Sequence, residues 1–107
     1  MMKIVDTLPV AMTALDGQKV IKSKEVVMSQ LTVGEYFDSQ KNMTDGQYVA
    51  IAELAIMTKL LDEEGKEYPI TYEMLSSTSR QNFDALTALR GKLDAKEQAE
   101  SEKSEQM

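Results

Sequence analysis

Residues 45–61 constrain this chain more than any other stretch. Asp45 can accept hydrogen bonds from the open N–H groups of a first helical turn. Ala, Leu, Met and Glu, all good helix formers, dominate the positions that follow. The acidic turn Asp62-Glu63-Glu64 and then Gly65 stop the run, so a helix is predicted over about 46–61. After the cap its polar positions are Gln47, Glu53, Thr58 and Lys59, which scatter around the helical wheel instead of forming one stripe. A helix of this kind needs cover on most sides, from its own chain or from a partner.

The chain has 107 residues, enough for a single domain with one modest core. Cys and His are both absent, which removes disulfides, thiol chemistry, His or Cys metal ligands and every His-based acid–base scheme. The net charge of −6 opposes binding to a phosphate backbone or an anionic membrane surface. The helix at 46–61 is too short to span a bilayer. At the N-terminus, Asp6 breaks the apolar run, so no secretory signal is expected and a cytoplasmic location is expected. Neither a cofactor nor a metal is called for, and no catalytic constellation stands out; the residues read as a binding or assembly protein, not an enzyme.

The order of segments predicts an α+β domain over 1–95. Residues 4–30 read as a β-hairpin turning at Asp16-Gly17, with Leu15 opposite Gln18 and Met12 opposite Ile21. Leu8, Val10, Met12 and Ile21 then share a face, but Val26 and Met28 fall on the other, which a bulge or break near Ser23-Lys24 would repair. Lys19, Lys22 and Lys24 suit an edge strand that must resist pairing with another chain. Thr32 and Glu35 form a capping-box pattern opening a short helix at about 33–41, anchored by Tyr36 and Phe37. Residues 67–70 are extended, and Thr71 caps a brief helix at 72–76. Thr78 with Gln81 opens a long amphipathic helix at 79–95, with Phe83, Leu86, Leu89 and Leu93 facing the core. Residues 96–107 bury almost nothing and are expected to be a disordered acidic tail.

This order resembles the small tail assembly chaperones of Mu-like, contractile-tailed bacteriophages and prophages. The residues carrying the resemblance are Leu8-Pro9 leading to Asp16-Gly17, and Val26-Val27-Met28 running into Leu31-Thr32-Val33-Gly34-Glu35-Tyr36. Tyr68-Pro69-Ile70-Thr71 and Ser79-Arg80-Gln81-Asn82-Phe83-Asp84 complete it, so that it spans about residues 4–93. Two positions depart from the family pattern: Met28-Ser29-Gln30 lacks an Arg, and Asn82 stands where an acid commonly precedes the aromatic.

The resemblance implies a protein that binds the tape measure protein, with the tail tube protein as a further partner, while the tube polymerises, and that leaves before the tail is complete. Self-association is a further option. Candidate partner-binding residues are Tyr36, Tyr48, Met57, Leu60, Leu61 and Tyr72. Two other classes share these sequence clues: a permanent tail or baseplate subunit, and a small acidic regulator or inhibitor acting on a host partner.

Overall fold

The fold, seen in a computed structural model that describes residues 2–105, is α+β. A hairpin of β1 (Lys3–Asp16) and β2 (Lys19–Ser29) leads into α1 (Val33–Asp38) and α2 (Val49–Met57). The chain then forms β3 (Thr58–Leu61), β4 (Glu67–Pro69), α3 (Tyr72–Ser76) and α4 (Arg80–Glu105). The four strands make one antiparallel sheet in the order β1-β2-β3-β4.

The hairpin turns one residue later than its sequence suggests. Asp16 pairs with Lys19, Leu15 with Val20 and Ala14 with Ile21, so the turn is Gly17-Gln18. Only Gly17 has a positive φ there (63°), which suits the first of the two turn positions in a II′ turn. The expected change of phase is present. Between the pairs Thr7–Glu25 and Met12–Ser23, β1 spends residues 8–11 opposite Lys24 alone, so the ladder breaks beside Ser23-Lys24 as expected, with the extra residues on β1. Across this break β2 changes phase, so Ile21 before it and Val26 and Met28 after it all face the core, while β1 keeps Leu8, Met12 and Ala14 inward. Val10, expected inside, sits in the bulge and is exposed.

Asn82 explains how the bulge is held. Its side-chain Nδ2 donates to the Val10 carbonyl at 2.8 Å, and its Oδ1 accepts the Val10 N–H at 3.0 Å. A fully buried Asn thus stands in for the missing strand partner of Val10. Nδ2 also donates to Thr78 Oγ1 at 2.8 Å, so Thr78 holds Asn82, and Ser79 Oγ accepts the Gln81 N–H at the helix start instead.

α4 runs back along β1, the open edge of the sheet. Lys92 Nζ approaches Asp6 Oδ2 at 4.0 Å, and Lys96 Nζ donates to the Lys3 carbonyl at 3.4 Å. Leu86, Leu89 and Leu93 are buried on its inner stripe, as their spacing predicts, with Phe83 half-buried. The helix continues through 96–105, where a disordered tail was expected; Ala, Glu, Lys and Gln are good helix formers and extend a turn already nucleated by packing. Residues 106 and 107 of that expected tail lie outside the described residues.

The largest departure is in the middle of the chain. The helix predicted over 46–61 occupies only Val49–Met57. Gly46 adopts φ 91° in a turn closed by Gln47 N–H on the Thr44 carbonyl, so Asp45 caps nothing and the helix starts later. At the other end Thr58 is extended, and β3 pairs through Leu60 with Val26 and through Thr58 with Met28. The unpaired edge of β2 and the inward-outward alternation of Thr58, Lys59 and Leu60 outweigh helical propensity. Helix α1 is shorter than predicted: Ser39 closes it, donating its hydroxyl to the Tyr36 carbonyl at 2.6 Å. Its Thr32–Glu35 capping box is present, but the helix buries no residue, so Tyr36 and Phe37 are not core anchors.

The turn between β3 and β4 is organised by Asp62. Its Oδ1 accepts the Lys66 N–H at 2.8 Å and the Glu64 N–H at 2.9 Å, and Oδ2 accepts the Tyr68 hydroxyl at 3.1 Å. The Lys66 N–H above all holds this carboxyl below the usual Asp range.

Candidate functional site

Helix α2 joins the core through Leu54, Ala55 and Met57. Its single carboxylate inside, Glu53, is nearly buried and accepts from Arg90 of α4 at 2.8 Å, which ties the two helices together. That covers most of the wheel. Val49 and Ile56, seven residues apart on one face, stay exposed.

Beside that face lies an open groove of about 420 Å³. The end of α1 with Asp38, and the α1–α2 connection with Met43, form one wall. Ala52, Ala55 and Ile56 of α2 form another, and Pro69, Ile70, Tyr72 and Glu73 the third, with Thr58 and Lys59 between. Tyr48 sits at the start of α2, 69 % exposed, and its N–H donates to the Tyr72 hydroxyl at 2.7 Å. That bond satisfies a donor the helix start leaves open and fixes α3 against α2.

The candidate residues therefore divide. Tyr48 and Tyr72 come together, Tyr72 lining the groove. Tyr36 is half-buried in α1, its ring edge-on to Phe37 at 5.4 Å, and Phe37 is 63 % exposed. Leu61 is half-buried at the end of β3. Met57 and Leu60 are corrected: at 2 % and 0 % exposure they are core residues, unable to touch a partner while the domain is folded. The helical wheel that would turn them outward ends at Met57.

Two features of this region were missed in the sequence. Ile56 carries the exposed stripe of α2, and its phase with Val49 was legible once the helix was known to be short. Thr58 is 1 % exposed and lines the groove, and its Oγ1 has no hydrogen-bond partner. An unpaired buried hydroxyl costs about 1–3 kcal/mol. Gln40 Nε2, in the α1–α2 connection, is likewise without a partner. Nothing in the sequence signals either orphan, because both depend on tertiary packing.

Among the described residues, no group of acidic side chains is placed to hold a metal ion, and no helix is long and apolar enough to cross a membrane. No family model matches this chain, and no match to it is found among curated proteins or solved structures.

Proposed function

We propose that this protein is a non-catalytic binding protein for another polypeptide, and specifically a bacteriophage tail assembly chaperone that holds the tape measure protein while the tail tube is built. The observation that carries the reading is the apolar surface left on α1 and α2, of which Ile56 lines the groove. Tyr48, Val49 and Ile56 stay exposed on and beside α2, with Val33 and Phe37 exposed on α1, in a chain small enough to need its apolar side chains inside. A helix docked in a groove is the recognition mode that fits such a surface. The net charge of −6 keeps a complex with a long, self-associating chain soluble.

The test is co-expression with the tape measure protein of the same phage. The reading expects the tape measure protein to become soluble and to co-purify with the chain, and expects the chain to be absent from purified virions or far below the tube protein in amount by mass spectrometry. Retention at stoichiometric levels in the virion would instead make it a permanent tail subunit. Failure to solubilise or bind the tape measure protein would remove the proposed function.

A further inference from the structure

Resting on that reading, we propose that the groove beside α2 takes an amphipathic helical segment of the tape measure chain that carries Lys or Arg at its margins and one hydrogen-bonding side chain on its apolar face, which engages Thr58. Charge selects the margins. Asp38 on one wall and Glu73 on the opposite one outnumber the single cation between them, Lys59, and the molecule as a whole carries −6. An acidic segment, including a second copy of this acidic chain, is disfavoured at the same place. Chemistry selects the centre. Thr58 belongs to the groove lining, almost fully buried, with its hydroxyl unpaired. Val has nearly the same shape and lacks the hydroxyl, so a purely structural position gains nothing from Thr here. An unpaired group beside an open groove is a hydrogen bond left for an occupant, which reaches it by a small opening of the groove wall.

Overlapping synthetic peptides covering the tape measure chain, titrated into the isotope-labelled full-length protein, test this by nuclear magnetic resonance. The peptides that bind are expected to be basic and amphipathic, and to move the signals of Ile56, Thr58 and Tyr72. Thr58→Val is expected to raise Tm in the free protein and to weaken the binding peptide by about tenfold. Asp38→Lys with Glu73→Lys, both exposed, should weaken it further and make the remaining affinity less sensitive to salt. Unchanged affinity in Thr58→Val, or binding whose signals map elsewhere, overturns the inference while leaving the chaperone reading in place. A tape measure protein that binds neither as peptides nor as the full chain overturns both.

Discussion

Asn82 does work that an acid at the same position would not. It donates to Val10 and Thr78 and accepts from Val10, so both faces of its amide are used. Asn82→Asp keeps the acceptor, loses both donors and turns a carboxylate toward a carbonyl. We expect a loss of about 2 kcal/mol or more in urea unfolding, with hydrogen-exchange protection lost first at Val10. The position was readable in part: residues 82, 86, 89 and 93 follow one helical stripe, and a lone Asn on that stripe signals a buried polar contact. What it would contact was not, because the bulge it serves lies 72 residues away. The same holds for Glu53, an isolated acid in an apolar helix whose partner, Arg90, is supplied by α4. Arg90→Leu leaves that carboxylate nearly buried and unpaired, and because Arg90 is itself partly exposed the expected loss is about 1–2 kcal/mol, smaller than for a fully buried pair.

Asp62 gives a prediction in pH. Its carboxyl is held below the ordinary Asp value by the Lys66 N–H, with the Glu64 N–H and the Tyr68 hydroxyl adding to the effect. A carboxyl lowered in the folded state stabilises fully above its unfolded value, and that contribution is lost as pH falls through the folded value. Glu35 is lowered in the same sense by the Thr32 N–H. Urea midpoints should therefore fall as pH drops from about 5 to about 2. Asp62→Asn should show a shallower fall over that range; an identical slope would contradict this role for the turn.

At the scale of elements, the junction of α2 and β3 shows where local preference stops deciding. Met57, Leu60 and Leu61 are helix formers, and read in isolation they extend the helix. The open edge of β2 draws residues 58–61 into the sheet, and no local pattern reports that an edge is waiting. The elements that were legible are those with their own punctuation: the Thr32 and Thr71 caps, the glycine turn of the hairpin, and the leucine stripe of α4. Even the phase change in the hairpin was visible from Val26 and Met28, though not which strand carries the extra residues. The revised boundary makes a sharp contrast. Leu60→Ala should cost about 2–5 kcal/mol as a core cavity, whereas Ile56→Glu, four residues earlier, should leave Tm within a few degrees of wild type. Equal sensitivity of the two positions to thermal melting would show that the helix continues past Met57.

For the whole molecule, α4 acts as a splint. It packs along β1, bonds to Val10 and Lys3 there, and shares the core face of the sheet with α2, to which Arg90 and Glu53 tie it. One side of the domain is thereby closed, and the exposed aromatic and aliphatic side chains of α1 and α2 remain on offer. The candidate site was legible only as a surplus: the composition of residues 45–61 promised more apolar helix than a small chain covers, and Val49 and Ile56 are what remains after folding. The most direct measurement is the affinity of the full-length chain for the tape measure protein, wild type against Ile56→Glu, with circular dichroism confirming that both are folded. The account predicts tight binding by the wild type and a loss of at least about tenfold in the variant. Equal affinity in two folded proteins would contradict it.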